Sequence, residues 1–212
     1  MGVNDRLLLM GGLFVNNTRE SILSAALHLF ARCGFEAASV SQIAEAVGLT
    51  KGALYRHFSS KRDLLDSILE RMAQRDAEQA AAFDLPTGTA DAMPEAYRAA
   101  SVAQRAAFAR AQFRYWTEDA FAADFRRMLT LEQLGTAEMN ALYQQYIGAG
   151  PLGYVRDLLA ALNVADAADM AALLYAPMLL GYVLYDGASD KAAVTALVDS
   201  ALNRAAALIA AR

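Results

Sequence analysis

The stretch 39–58, SVSQIAEAVGLTKGALYRHF, decides how this sequence folds. Ser39 and Gln42 have the spacing of a capping box, in which each side chain bonds a backbone N–H at a helix start. Gly48 is the residue type that ends helices, because glycine adopts the left-handed backbone conformation without steric cost. Thr50 is a favourable N-cap for a second helix. The stretch therefore predicts two short helices joined by a tight turn.

The outward face of the second helix carries an unusual set of side chains. Leu54 and Phe58 face inward at helical spacing. Small side chains allow close approach to another surface, and a cation at a helix start favours an anion there. These properties suit a helix that enters the major groove of DNA. An ordinary helical hairpin with a solvated face fits the spacing equally well. The outward residues are Lys51, Gly52, Ala53, Tyr55 and His57.

Residues 18–65 resemble the N-terminal domain of the tetracycline repressor (TetR) family of transcriptional regulators. The matching segments are TRESIL at 18–23, AALHLFARCGF at 25–35, SVSQIAEAVGLTKGALYRHF at 39–58 and SKRDLL at 60–65, about a quarter of the chain. The resemblance implies an all-α fold. An N-terminal three-helix helix-turn-helix head, similar to a homeodomain, is expected at 17–65. A C-terminal helical bundle for ligand binding and dimerisation is expected at 66–212.

The resemblance also implies which side chains contact a double-stranded DNA operator. Lys51, with the edge formed by Gly52 and Ala53, is expected to approach the bases. Gln42 has a competing role in the capping box, and Arg56 is a further candidate contact. The side chains expected mainly to hold phosphates are Ser39, Ser41, Gln42, Thr50, Tyr55, His57 and Lys61.

Charge is distributed unevenly along the chain. The net charge of −4 by itself argues against a nucleic-acid partner. Residues 18–62, however, hold six Lys and Arg against three acidic residues, whereas residues 73–212 hold eleven against sixteen. A basic head on an acidic body suits a DNA-binding protein whose body stays off the duplex. The surplus in the head is modest, so we expect two heads to act together in a homodimer.

The segments that flank the head have weaker signals. Residues 1–16 are expected to be a flexible extension, because the apolar run 7–15 is too short to span a bilayer and lacks a signal-peptide pattern. The first helix is expected to start at Asn17 or Thr18. A long helix, opened by a second capping box at Ser60 and Asp63 and ending near residue 83, should join head to body. A loop over 84–93 and a helix starting at Pro94 should follow.

Aromatic residues concentrate between residues 97 and 154. Such residues at helical spacing usually form core. The resemblance implies in addition an effector pocket inside the bundle. The mixture of aromatic side chains suggests an apolar or aromatic small molecule, whose identity the sequence does not give. The candidate wall residues are Phe113, Trp116, Phe121, Tyr143 and Tyr146.

Two apolar helices are expected at the C-terminus. The run 170–185 has no charged residue, but it contains Pro177 and lacks flanking cations, so we expect a buried helix and no membrane span. The last helix, expected over 190–211, has one apolar face. By resemblance both helices would pair with their copies across a two-fold axis; the alternative is a monomeric bundle that hides both faces. The expected dimer contacts are Leu179, Val183, Val194, Leu197, Val198, Ala201 and Leu202.

An enzyme is the rival class. The two histidines lie on different expected helices, and the sequence has no H-E-x-x-H, no G-x-S-x-G and no phosphate-cradling glycine loop. We therefore expect no catalytic residue, no metal site and no cofactor. The single Cys33 fits a reducing cytoplasm. The combined expectation is a cytoplasmic, ligand-responsive repressor that binds a palindromic operator as a homodimer. The alternative is a helical small-molecule-binding or partner-binding module without specific DNA binding.

Overall fold

The computed structural model describes residues 3–82 and 102–210 of the chain. Within these ranges the regular secondary structure is entirely α-helical, which confirms the all-α prediction. The helices are α1 (Val3–Cys33), α2 (Val40–Ala46), α3 (Lys51–Leu54), α4 (Lys61–Ala82), α5 (Val102–Glu118), α6 (Ala120–Glu132), α7 (Ala137–Tyr146), α8 (Ala149–Ala161), α9 (Ala167–Gly187) and α10 (Lys191–Ala210).

The turn between α2 and α3 forms as the sequence predicts. Ser39 Oγ accepts the Gln42 N–H at 3.2 Å, and Gln42 Oε1 accepts the Ser39 N–H at 2.9 Å, so the capping box is complete. Gly48 ends α2 with a φ of +69°. Thr50 Oγ1 accepts the Ala53 N–H at 3.1 Å and caps α3. Local hydrogen bonds therefore fix the angle between the two helices.

Two helix boundaries and one helix cap differ from the sequence prediction. α1 begins at Val3 and so includes most of the segment that was expected to be an extension. α3 ends at Leu54, and the chain continues in tighter i to i+3 bonds, with the His57 N–H donating to the Leu54 carbonyl at 2.9 Å. At the start of α4 half of the expected capping box forms, because Ser60 Oγ accepts the Asp63 N–H at 3.0 Å, whereas the Asp63 carboxylate accepts the Ser59 N–H at 2.7 Å and not that of Ser60. The loop expected over 84–93 and Pro94 lie outside the described residues.

The body is built around α9. This helix packs against α5, α8 and α10, and α10 also packs against α5. The packing is close at Gly181, where a Cβ atom would lie 2.5 Å from Phe113 of α5 and 2.6 Å from Val198 of α10. Glycine therefore allows three helices to meet at one point.

A buried arginine joins α6 to α9. Arg126 is almost fully buried, and its guanidinium bonds both carboxylate oxygens of Asp186 at 2.7 and 2.8 Å. Its Nε donates to the Trp116 carbonyl at 3.0 Å. Burial acts to raise the pKa of Asp186, but the hydrogen bonds and charges of Arg126 and Arg127 outweigh it and lower that pKa. The pair is satisfied on both sides, as a buried ion pair must be.

Head and body share one hydrophobic core. The same cluster of buried side chains contains Phe30 of α1, Met72 of α4 and Phe125 of α6. α1 packs directly against α6. Glu132 at the end of α6 accepts the Phe35 N–H at 2.6 Å. The head is therefore held against the body by burial as well as by the continuous helix α4.

The two C-terminal helices leave apolar side chains on the surface. Both α9 and α10 are long and apolar enough to cross a membrane, a test that core helices of soluble proteins also pass. Only about a third of the apolar window of each helix is buried within this chain. An uncovered apolar face of this size commonly marks a protein contact.

Candidate nucleic-acid interface and ligand cavity

The outward face of α3 is open. Lys51 and Gly52 are exposed, and Tyr55 is 44% exposed, whereas Leu54 on the opposite side is fully buried. The Lys51 ammonium lies 5.9 Å from the centre of the Tyr55 ring. A Cβ atom at Gly52 would meet nothing within 4 Å. The minimal side chain at this position therefore serves no packing purpose within the chain.

Polar side chains next to this face have capacity for a second partner. Ser39, Ser41, Gln42 and Thr50 are exposed. The hydroxyls of Ser39 and Thr50 act as acceptors in their caps, and a hydroxyl can accept and donate at once. The Gln42 oxygen is taken by the capping box, but its amide N–H₂ group is a separate donor. The capping geometry thus keeps donors available for phosphate oxygens.

Three of the six cations in the head, Arg19, Lys61 and Arg62, are held by internal contacts. Arg19 donates to the His57 carbonyl at 3.2 Å and to Ser67 Oγ at 3.0 Å, and it covers the Phe58 ring at 4.3 Å. Arg62 binds Glu138 of α7 and Asp66. The side chains of Arg32, Lys51 and Arg56 are exposed.

Lys61 has a structural contact that the sequence analysis did not foresee. Its ammonium donates to the carbonyls of Phe35 and Glu36 at 2.7 and 3.1 Å, and it lies 4.5 Å from the Phe35 ring centre. These bonds tie the loop after α1 to the start of α4. The same ammonium also lies 3.7 Å from the exposed Glu36 carboxylate, with which a phosphate would have to compete.

The body contains a cavity of about 520 Å³, a size typical of small-molecule sites. It lies between α4, α5, α7, α8, α9 and α10. Its wall is largely aromatic and aliphatic, with Trp116 and Tyr146 placed 6.5 Å apart between ring centres. The polar side chains on the wall include Asp76, Gln79, Gln112, Gln145 and Tyr154.

Two of the five expected wall residues, Trp116 and Tyr146, line this cavity. Phe113 is fully buried and stacks on the Tyr182 ring at 5.6 Å. Phe121 packs in the core beneath the Arg75 guanidinium, and Tyr143 packs against the same core. A helical aromatic stripe does not show which rings face a cavity, because that depends on the packing of the neighbouring helices.

Asp76 on the cavity wall was missed by the sequence analysis. Burial raises the pKa of this carboxyl to about 6. Nearby, the Tyr115 hydroxyl is buried and has no hydrogen-bond partner in the described part of the chain, and burial, followed by the charge of Asp76, raises its pKa to about 12. A signal was present in the sequence, since Asp76 follows Met72 by four residues and continues the apolar stripe of α4.

The expected dimer residues divide into two groups. Val183 and Leu197 are 77% and 51% exposed, and Leu179, Val194 and Ala201 are partly buried. Val198 and Leu202, in contrast, are almost completely buried in the core of this chain, so the prediction that they present a surface is wrong. They face inward because α10 packs on α5 and α9. The exposed face continues instead along α9 through Leu173 and Leu180.

Comparison with known proteins matches the head to a family. Residues 22–68 fit the model of the bacterial regulatory proteins of the tetR family. Over 53 residues the chain is 47% identical to the HTH-type transcriptional regulator AcrR of Shigella flexneri, 25% of each chain. Over 72 residues it is 42% identical to the HTH-type transcriptional repressor BepR of Brucella suis biovar 1, 32% of this chain and 34% of BepR. The matches thus span only about a quarter to a third of the length of these relatives.

The structural likeness extends further than the sequence likeness. A TetR-family transcriptional regulator from Bordetella parapertussis superposes with a TM-score of 0.57 and 22% identity, over 91% of this chain and 94% of that one. Identity at this level shows the fold alone. The relatives are transcriptional regulators and not enzymes. Residues 22–68 are therefore similar to the domain that defines the tetR family of bacterial regulatory proteins, and the described chain has the all-helical fold of solved TetR-family regulators.

Proposed function

We propose that this protein is a ligand-responsive transcriptional repressor of the cytoplasm that binds a palindromic operator as a homodimer. The observation that carries the proposal is the open face of α3, where Lys51 and Gly52 lie exposed beside capped polar side chains. Repression is the activity printed in the name of BepR, and it is carried over to this chain as part of the proposal.

Each head would place α3 in a major groove. Lys51, Gly52 and Ala53 would approach base edges, because among the described residues Lys51 and Gly52 are exposed and Ala53 is only partly buried. Tyr55 and His57, with donors at the start of α2, would hold phosphates on either side of the groove. The phosphate-contact residues are Ser39, Ser41, Gln42, Thr50, Tyr55, His57 and Lys61.

The cavity would hold the effector. Its wall includes Asp76, which is on α4, and α4 begins a few residues after α3. A ligand that pulls on the far end of α4 would change the position of the head. Binding would favour a head spacing that no longer fits the operator, which is the coupling that a released repressor requires.

The exposed faces of α9 and α10 would form the dimer contact. They present Leu173, Leu180, Val183 and Leu197 to solvent in the single chain. Pairing across a two-fold axis would cover these side chains and would set the distance between the two heads. A fixed distance is what a palindromic site requires.

The direct test is binding to fluorescently labelled promoter DNA of the gene itself, followed by anisotropy at several salt concentrations. The expected result is tighter binding to this duplex than to a random duplex of equal length. Equal affinity for both at every salt concentration would favour a binding module without specific DNA recognition.

Two lysine variants sharpen the test. Lys51→Ala and Lys61→Ala should each reduce the slope of log affinity against log salt by about 1, because each removes one phosphate or base-edge cation. Only Lys61→Ala should also lower the melting temperature, since its ammonium binds two carbonyls within the head. A Lys61→Ala variant with a lower melting temperature and an unchanged slope would limit Lys61 to a structural role.

A further inference from the structure

A single charged side chain lines the cavity among the described residues. Asp76 projects from α4, and the remaining wall is aromatic, aliphatic or neutral polar. The carboxyl group has no hydrogen bond and no ion pair with any described residue, and burial alone accounts for its raised pKa of about 6. It is therefore largely ionised at neutral pH, in a place where an unpaired charge is unfavourable.

The nearest cation is committed elsewhere. Arg75 precedes Asp76 on α4, but its guanidinium bonds Asp119 at 2.7 Å and lies 5.2 Å from the centre of the Phe121 ring. Asp119 in turn caps α6 by accepting the Ala122 N–H at 2.9 Å. Because this arrangement satisfies Arg75, the guanidinium is not free to neutralise Asp76. Among the described residues, no cation is therefore available to compensate the charge of Asp76.

Aromatic rings stand on the same wall as the carboxylate. Trp116, Tyr146, Tyr154 and Phe108 line the cavity with Asp76. The charge of Asp76 also raises the pKa of Tyr146, after the larger effect of burial, which places this phenol in the field of the carboxylate. Ring faces attract cations, and the attraction is stronger where water is excluded.

We propose that the cavity selects organic cations with an apolar or aromatic body, whose charged group pairs with Asp76 while the body packs against Trp116 and Tyr146. This inference rests on the proposed function, because it names the effector class of the same cavity. A carboxylate or phosphate ligand would face a like charge at Asp76. A neutral ligand would leave that partly buried charge without a partner among the described residues.

The chain has a built-in reporter for this test. Trp116 is the single tryptophan of the sequence and lies on the cavity wall, so its fluorescence reports binding there. The probes are para-butylbenzyl-trimethylammonium and its neutral carbon isostere, para-butyl-neopentylbenzene, which have the same shape and differ in charge. The quantity compared is the ratio of the two dissociation constants, obtained from titrations of Trp116 fluorescence.

Asp76→Asn should lower the preference for the cation over its isostere by at least about tenfold, because it removes the only pairing charge on the described wall. Glu78→Gln is the matched control, since it removes one negative charge from the same helix at an exposed site outside the cavity. This control should leave the ratio unchanged. If Asp76→Asn and the unaltered protein had the same ratio of dissociation constants for the two probes, the proposal would be overturned.

A second measurement needs no variant. Between pH 5 and pH 8 the unaltered protein should gain affinity for the cation and not for the isostere, because Asp76 ionises near pH 6 within this range. The groups facing Asp76 are the phenols of Tyr115 and Tyr146, whose pKa values are raised, and the Arg75–Asp119 pair. An affinity for the cation that does not change with pH would contradict the inference.

Failure of this inference can be distinguished from failure of the proposed function. If both probes quench Trp116 equally and both release promoter DNA, the cavity is an effector site without selection for charge. If neither the free protein nor any probe-bound form prefers promoter DNA, the regulatory function itself fails, whatever binds the cavity. Selection for the cation, lost in Asp76→Asn, supports the inference in either case.

Discussion

Two glycines in the head have open space around them and yet have different purposes. A Cβ atom at Gly48 or at Gly52 would meet nothing within 4 Å. Gly48 has a φ of +69°, so its requirement is conformational. Gly52 lies within α3 with ordinary helical geometry, and neither backbone nor packing explains it. Under the proposed function, a DNA surface that approaches α3 closely would explain it.

Gly52→Ala should separate these two kinds of requirement. Alanine favours a helix over glycine by up to about 1 kcal/mol, so we expect the variant to be equally or slightly more stable. Its added methyl group should hinder entry into the groove and reduce operator affinity by about tenfold or more. Chemical denaturation and fluorescence anisotropy provide the two measurements.

The matched control for this prediction is Gly48→Ala. Alanine at a positive φ costs on the order of 1 kcal/mol, so this variant should lose stability. A Gly52→Ala protein with full operator affinity would show that the face of α3 does not approach DNA closely.

Asp76 makes the stability of the protein depend on pH. Its folded-state pKa of about 6 lies above the ordinary 3.8, so the folded chain holds the proton more tightly than the unfolded chain. This contribution stabilises the protein at low pH and is lost as the pH rises through 6. A rise of this size corresponds to at most ~3 kcal/mol, which partial exposure of the side chain reduces to about 1–2 kcal/mol.

The measurement is urea denaturation of the unaltered protein and of Asp76→Asn at pH 5 and at pH 8. The unfolding free energy of Asp76→Asn minus that of the unaltered protein should be larger at pH 8 than at pH 5. Glu78→Gln serves again as control, because its carboxylate is exposed. A difference that is the same at both pH values would mean that the carboxyl is well solvated in the folded state.

At the scale of helices, the sequence predicts where a helix begins and ends better than it predicts which face of the helix is buried. Ser39, Gly48 and Thr50 mark boundaries that the structure confirms, because capping depends on residues close in sequence. Arg126 could not be foreseen as a buried residue, since its partner Asp186 lies on a distant helix. The same limit applies to the cavity wall, where Trp116 was identified and Asp76 was missed.

The close packing of α9 gives a prediction at this scale. Gly181→Ala would place a Cβ atom 2.5 Å from Phe113 and 2.6 Å from Val198, so neighbouring helices must move apart. Overpacking of this kind costs about 1–3 kcal/mol, and we expect a loss of that order in unfolding free energy.

Gly187→Ala is the control in the same helix, because a Cβ atom there meets nothing within 4 Å. It should leave stability unchanged or slightly raised when both variants are compared by urea denaturation. Equal stability of the two variants would show that α5 and α10 yield easily around α9.

At the scale of the whole molecule, the proposed dimer depends on the exposed faces of α9 and α10. Val183→Glu and Leu197→Glu should each produce monomers, because a charge would be buried at the centre of the contact. Light scattering coupled to gel filtration measures the mass directly.

Leu134→Glu is the matched control, since Leu134 is 91% exposed in the turn between α6 and α7, away from these faces. This variant should remain a dimer. Dimers in all three variants would place the contact on another surface.

The architecture of the chain was largely predictable, but its interfaces were predictable only in part. Apolar periodicity identified both C-terminal helices, and the motif in 39–58 identified the head. Val198 and Leu202 were assigned to the dimer surface because a stripe on a helix does not show whether its partner is the same chain or a copy. In the structure, one side of the apolar stripe of α10 packs against α5 and α9 of the same chain.

The core shared by head and body has a consequence for how the protein melts. Side chains from α1, α4 and α6 belong to one continuous hydrophobic cluster. Removing the body would therefore expose apolar side chains on the inner side of the head to water. An excised fragment ending at residue 65 should therefore be only marginally folded, and the intact chain should show a single calorimetric transition. In the proposed regulator, a change in the body would therefore reach the head, because the two parts would not unfold independently.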